Sequence, residues 1–388
     1  MIYLSILCIC LLAISYICSN ENIFSPGVLT NSIWLVCIGL WYILPHQLPP
    51  LSKQFISALT IWLIFFTVSS LFMQSFAYKT TNIQPNTIIK DLYFWLSIAS
   101  IPLLVSFAYT AIKTGTSGNW AWDLRSAAIG KDTDEAYTPF YFLIWTATYL
   151  LYLINITKKN WKRVVILGLL VLGFGIISMS KTLILNFFVL TVFILYIKKY
   201  ITTRHILIGI AALFVLLIGI QSIRHAVKID ASETENTLVL YILSSMSAFD
   251  TLTPLSSAHW GENTLRIIYA IPYKLGFSDI QPVNPILPWI YKPIATNTYT
   301  CMYPFFKDFG YWGISIFAII LGTFYGWVFK RFQQGDIFFT LFFAYCCTLI
   351  VTQYNGDAFF TNLAGHTKFA LLLYIPFFAS KHHLFEKK

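Results

Sequence analysis

Residues 158–199 read KKNWKRVVILGLLVLGFGIISMSKTLILNFFVLTVFILYIKK. Lys158, Lys159, Lys162 and Arg163 stand at one end, and Lys198 and Lys199 at the other. Between them lie two apolar runs, 164–180 and 182–198, parted only by the turn at Lys181. Each run is long enough to approach the ~30 Å hydrocarbon layer of a bilayer as a helix. Basic ends bracketing two such runs are the mark of a membrane hairpin.

The same pattern extends in both directions. Of the 388 residues, 57% are hydrophobic and 11% charged, where a soluble domain carries roughly 25% charged residues. Mean hydropathy is +0.69. The spacing predicts about eleven spans, near 2–19, 28–45, 54–73, 92–112, 138–156, 164–180, 182–198, 204–222, 309–329, 336–353 and 363–380. The expected fold is an all-α polytopic membrane protein. A soluble enzyme with an anchor, a nucleic-acid-binding domain and a disordered chain are all excluded. Met1 to Ser19 has no basic n-region and no small-residue cleavage site, so it reads as a retained span.

The net charge of +10 follows the connections. Lys79, Lys90, the 158–163 and 198–204 groups, Lys330, Arg331 and the tail lysines 381, 387 and 388 fall on one side by alternation. Fourteen Lys or Arg lie there, against five in the short segments of the other side. The positive-inside rule makes that richer side, and the C-terminus, cytoplasmic. Six of the seven cysteines fall in apolar spans; only Cys301 sits in a long loop, so no disulfide framework is expected.

Two outer segments are more than connectors. Segment 113–137 carries Asn119, Trp120, Trp122, Asp123, Arg125, Lys131, Asp132, Asp134 and Glu135. Segment 223–308 is long enough to be a subdomain. Within it, 236–250 reads as a re-entrant or surface-lying helix, and 272–293 holds five prolines (272, 282, 285, 288, 293) and is expected to be irregular. The predicted organisation is a bundle over 1–222, an extracytoplasmic subdomain over 223–308, and a final bundle with a cytoplasmic tail over 309–388.

No GxxxxGK[ST], HExxH or zinc spacing occurs. Ser178 to Lys181 matches SxxK in form but lacks the companion serine-hydrolase motifs. No metal and no cofactor are expected. The positive signal is cationic: Arg125, Lys181, Arg224, His225, Lys228, Arg266 and Lys274 all map to the outer face. Guanidinium groups bind phosphate bidentately, so this set points to an anionic lipid headgroup. Headgroup snorkelling is the bland alternative.

Asn297, Tyr299, Thr300 and Tyr303 offer amide, hydroxyl and ring partners of the kind that read sugars, just before span 309–329. Asp308, at the mouth of that span, doubles as a candidate helix cap. His259, Glu262, Asp308 and His366 are the candidate proton acceptors. A surface role for His259 and a hydrogen-bonded core role for His366 are the plain readings. Gly322 and Gly326 give a GxxxG spacing for helix contact.

The run NTYTxxYPxxxDFGxxG, Asn297 to Gly313, follows a large outer loop and precedes the last spans. In that setting the chain resembles the Wzy-type oligosaccharide repeat-unit polymerases that make O-antigen and capsule at bacterial inner membranes. The number of spans, the single late loop, Arg125 in a short outer segment and a basic residue after span 6 (here Lys181) fit the same plan. The resemblance implies a multi-pass inner-membrane glycosyltransferase with a periplasmic loop. Its donor and acceptor are undecaprenyl-pyrophosphate-linked glycans. Arg125, Lys181, Arg224 and Arg266 are the expected clamp on pyrophosphate, with Arg224 and Arg266 foremost. A chain-length regulator is an implied partner, beside membrane lipid and to the exclusion of nucleic acid. The competing readings are an O-antigen ligase and a lipid-linked oligosaccharide flippase or other transporter.

Overall fold

The computed structural model describes residues 2–44, 46, 48–79, 82–129, 139–178, 180–226, 237–284, 286–291 and 296–384, with backbone alone at 129, 214, 217, 218, 220–226 and 237–241. Lys131, Asp132, Asp134, Glu135, Lys228, Pro285, Pro293, Lys387, Lys388 and the side chains of Arg224 and His225 therefore lie outside the described residues.

Among the described residues the chain forms fifteen helices and no strand. These are α1 (Ile2–Cys18), α2 (Pro26–Ile43), α3 (Lys53–Gln74), α4 (Thr87–Ala99), α5 (Ile101–Thr114), α6 (Trp120–Ile129), α7 (Phe140–Leu153), α8 (Trp161–Ile177), α9 (Lys181–Ile197), α10 (Thr203–Ala226), α11 (Thr237–Phe249), α12 (Arg266–Lys274), α13 (Tyr303–Gln333), α14 (Ile337–Val351) and α15 (Leu363–Lys381). Five stretches are long and apolar enough to cross a membrane: α2, α3, α4 with α5, α13 and α15. Shorter apolar helices fall at most of the other expected spans. The membrane class is as expected; the number of crossings rests on the sequence alone.

The chain divides into two compact units. The first comprises 1–79, 232–334 and 349–364. Its axis is the pairing of α3 with α13. The two run parallel, Gly322 meeting Phe66 and Gly326 meeting Ser70; Trp62, midway along α3, stacks on Phe305 (5.8 Å), and Phe66 lies beside Tyr325 (6.0 Å). Small residues let the backbones meet. A Cβ on Gly322 would stand 2.4 Å from the Phe66 carbonyl oxygen, and one on Gly326 2.4 Å from that of Ser70. The GxxxG spacing is thus a packing surface, as close helix contact in lipid requires. α2 joins through Asn31, whose Nδ2 donates to Gly27 O (2.7 Å) and Thr67 Oγ1 (2.9 Å).

α13 begins six residues before the expected span and bends at Gly310, whose φ of 63° and ψ of −146° lie outside the helical region. Glycine adopts such a φ without the steric cost that other residues meet. Phe305 folds back on Phe317 (4.8 Å between rings) to fill the elbow. At the far end of the pair, Arg331 Nη1 donates to Lys79 O (2.8 Å). Two cations assigned to one side by alternation thus sit at one end of this unit.

The second unit comprises 80–231, 335–348 and 365–388. Span 92–112 is here a longer pair, α4 and α5, broken at Ser100, because Pro102 in the first turn of α5 has no N–H to continue the ladder. Trp145 Nε1 of α7 donates to Ser100 Oγ (2.8 Å). Pro376 inside α15 likewise leaves the Leu372 carbonyl without its helical donor, and Tyr93 Oη supplies one (3.2 Å). Arg163 pairs with Asp91 (2.7 Å) and also bonds Tyr152 Oη (2.8 Å), joining α8, α4 and α7.

Candidate active site

In the first unit the starts of α3 and α13 share one end with the loop 250–302 and the turn 352–362. Asp250, directly after α11, accepts from Ser52 N (2.7 Å) and Phe55 N (3.2 Å), and bonds Ser52 Oγ. A carboxylate at a helix start satisfies free N–H groups and meets the positive end of the dipole. Phe249 wedges between Phe55 of α3 (5.8 Å) and Phe306 of α13 (5.0 Å). Gln353 closes the other side. Its Oε1 accepts from Trp34 Nε1 (3.3 Å) and Trp62 Nε1 (3.2 Å), and its carbonyl accepts from Cys301 N (2.8 Å). α14 stops at Val351, short of the expected boundary, as the chain turns to deliver that side chain.

Asp308 is the centre of the loop's attachment. It lies inside α13 and does not cap that helix, which starts five residues earlier. It instead holds the segment leading into α12. Its Oδ2 accepts from Thr264 N (2.7 Å); Oδ1 accepts from Asn263 Nδ2 (2.7 Å), Asn263 N (3.4 Å) and Ser257 Oγ. Ser256 N adds a bond to Lys307 O (2.9 Å), and Trp260 packs edge-on against Phe309 (5.3 Å). The segment 256–264 is therefore seated on the elbow of α13.

That seat presents His259, Glu262 and Arg266. Glu262 accepts from Ala258 N (2.8 Å) and His259 N (3.1 Å), which fixes the turn bearing the exposed imidazole. Arg266 opens α12, and its Nε donates to Val283 O (2.7 Å). Asn297 is half-buried nearby in sequence. Tyr299, Thr300 and Tyr303 are buried. Tyr299 Oη donates to Pro288 O (3.2 Å), and its ring packs on Tyr303 (4.7 Å). Burial, with Tyr303 beside it, pushes the Tyr299 phenol up to about 12. The Thr300 hydroxyl is buried with no hydrogen-bond partner. These three residues pack the loop onto α11 and α13 and present no open surface for a sugar.

Asp357, in the turn before α15, accepts from the backbone N–H groups of Phe359 (3.1 Å), Phe360 (3.2 Å) and Thr361 (3.1 Å). Burial raises its carboxyl from the usual carboxylate range to about 6, against those donors, which pull it down.

The remaining candidates belong to the second unit. Arg125 on α6 reaches the α8–α9 turn, where Nη1 donates to Ser178 O (3.3 Å). Lys181 begins α9 three residues on, behind the Ser180 cap. These two cations, far apart in sequence, are brought to one corner. Arg224 lies near the end of α10, known by its backbone. His366 is buried, with Nδ1 2.7 Å from Tyr345 Oη, the hydrogen-bonded core role.

Sequence reasoning missed Ser257, Asn263 and Thr264, the partners of Asp308, and Asp250 and Gln353. Asn263 and Thr264 carried a usable signal, being cap-type residues just ahead of the apolar pattern of α12. Asp250 and Gln353 carried none, since their partners lie about 200 and 300 residues away.

Residues 28–353 match the family model described as "Putative O-antigen polymerase". A curated O-antigen polymerase from Shigella dysenteriae is 30% identical over 168 residues, an alignment covering 42% of each chain. The match thus spans less than half the length of that relative. No solved structure matches. The family match takes in the loop, the elbow and most of both units, and the chain belongs to the O-antigen polymerase family.

Proposed function

We propose that the protein polymerises lipid-linked oligosaccharide repeat units at the outer leaflet of a bacterial inner membrane. The observation that carries this reading is the family match over residues 28–353, which includes the loop held by Asp308. The donor is a glycan on undecaprenyl pyrophosphate, and the acceptor is a sugar hydroxyl of a second lipid-linked unit. The acceptor oxygen bonds to the anomeric carbon. The bond from that carbon to the pyrophosphate oxygen breaks, its electron pair leaves with undecaprenyl pyrophosphate, and the hydroxyl proton passes to a base. The donor is already activated, so no nucleotide is consumed. Negative charge grows on the leaving group, and preorganised cations lower the barrier for that step.

Arg125, Lys181, Arg224 and Arg266 are the proposed cations. Asp308 is a positioning residue, because its carboxylate is taken up by Ser257, Asn263 and Thr264. His259, exposed on the turn fixed by Glu262, is the proposed proton acceptor. The loop is periplasmic, the C-terminus cytoplasmic, and a chain-length regulator is the proposed partner.

A gel of surface polysaccharide from a host lacking the chain tests the reading. A ladder that collapses to core bearing one repeat unit supports polymerisation. Core without any repeat, with lipid-linked polymer accumulating outside, is the ligase result. Single units stranded on the inner leaflet are the flippase result. Within the polymerase reading, Arg224→Ala and Arg266→Ala abolish the ladder while the protein still inserts; full-length polymer from both overturns the clamp.

A further inference from the structure

α12 is amphipathic in the inverse sense to a helix on a soluble protein. Arg266, Tyr269 and Tyr273 share one face, and all three turn toward the loop. Arg266 Nε donates to Val283 O (2.7 Å), Tyr269 Oη donates to Trp260 O (2.6 Å), and Tyr273 Oη accepts from Gln281 Nε2 (3.0 Å). Ile268, Ile271 and Leu275, three and four residues apart, line the opposite face, and each is more than half exposed. Gly276, at a φ of 74°, turns the chain so that Phe277 N bonds Pro272 O (2.8 Å). Phe277 extends the same apolar edge and is 82% exposed. The helix buries none of its residues. The polar groups are thus tied to the loop by named bonds, Tyr273 staying 39% exposed, and the aliphatic edge is outside.

We infer that the hairpin 266–283 lies on the lipid bilayer, its Ile268–Ile271–Leu275–Phe277 edge sunk into the membrane interface. Three observations favour lipid as the occupant. The segment 256–264 leading into α12 is seated on the elbow of α13, two residues before Trp312, which is 80% exposed. Trp312 opens the band of Ile316, Ile319 and Ile320, exposed on a helix long and apolar enough to span a membrane. Trp260, Trp289 and Tyr291 are exposed on the same loop, as aromatics are where a protein meets headgroups. Lys274, at the end of α12, is exposed and suited to headgroup phosphate. A helix with one apolar face and polar anchors lies in the plane of the interface. The inference does not depend on the polymerase reading, since its readout is collision with lipid and not turnover.

A genetically encoded nitroxide side chain, which leaves the native cysteines in place, is scanned one position at a time over 266–277. The full-length protein is reconstituted in phosphatidylethanolamine–phosphatidylglycerol vesicles. Collision with oxygen, which partitions into lipid, is compared with collision with a water-soluble nickel chelate. At 268, 271, 275 and 277 oxygen is expected to outweigh the chelate several-fold, with minima of that ratio at 269 and 273. Dominance of the chelate at those four positions overturns the inference in favour of water. Low collision with both reagents overturns it in favour of a protein partner. Size-exclusion profiles matching the parent confirm the fold for each variant.

Discussion

Asp308 gathers four donors from three residues of a loop more than forty positions away in sequence. Its replacement by Ala leaves the Thr264 N–H and the Asn263 amide without an acceptor in a buried place. Hydrogen bonds to a charged group contribute about 1.5–3 kcal/mol each where buried. Asp308→Ala is therefore expected to speed amide exchange across 257–265 by about tenfold or more, measured by hydrogen–deuterium exchange in detergent. Asp308→Asn, which keeps one acceptor oxygen, is expected to restore part of that protection. Equal exchange in parent and Ala variant removes Asp308 from the positioning role. Asp357 allows a second test. Its carboxyl titrates near 6 in the folded chain, above the unfolded value, so the folded state takes up its proton first. The stability this contributes is present below about pH 4 and is lost as pH rises through 6. Asp357→Asn keeps an acceptor for the turn and removes the titration. Its gain in thermal stability over the parent is expected to be larger at pH 7 than at pH 5; a pH-independent difference refutes the assignment. The sequence marked Asp308 as a residue of consequence. Its role as a clamp was not legible, because a carboxylate's partners across a loop leave no periodic trace.

The helices were legible for the opposite reason. A span in hydrocarbon must satisfy its backbone internally and show apolar side chains over its whole length, so it writes a long, unbroken signal. Where the elements depart from that signal, local backbone chemistry or a tertiary contact sets the boundary: Pro102 and Trp145 at Ser100, Gln353 after α14, and Gly310 within α13. The GxxxG spacing on α13 was legible as a pattern, and the facing groove of Phe66, Ser69 and Ser70 turns it into a contact. Gly326→Leu is expected to force α3 and α13 apart and to cost several kcal/mol. The measurable result is loss of the monodisperse peak in fluorescence-detected size exclusion. Gly39→Ala on α2, where a Cβ meets nothing within 4 Å, is expected to be neutral or stabilising by up to about 1 kcal/mol. Equal behaviour of the two variants contradicts the packing described.

At the scale of the chain, charge and architecture agree within the first unit. Lys79 and Arg331 stand at the end of the α3–α13 pair remote from the loop. Reporter fusions after Gln334 and at the C-terminus are therefore expected to be active in the cytoplasm, and a fusion within 253–284 active outside it; the reverse pattern inverts the orientation proposed. The parallel pairing of α3 and α13 also bears on how the protein is made. α3 is complete at Gln74, but its partner ends at Gln333, some 260 residues later. At 5–20 residues per second of synthesis, the Ser69–Ser70 face waits about 13–50 s for its glycines. During that interval the nascent chain displays the small-residue notch at Ser69 and Ser70 to lipid or to an insertion factor. Premature termination anywhere before Gly322 yields a product with that groove open.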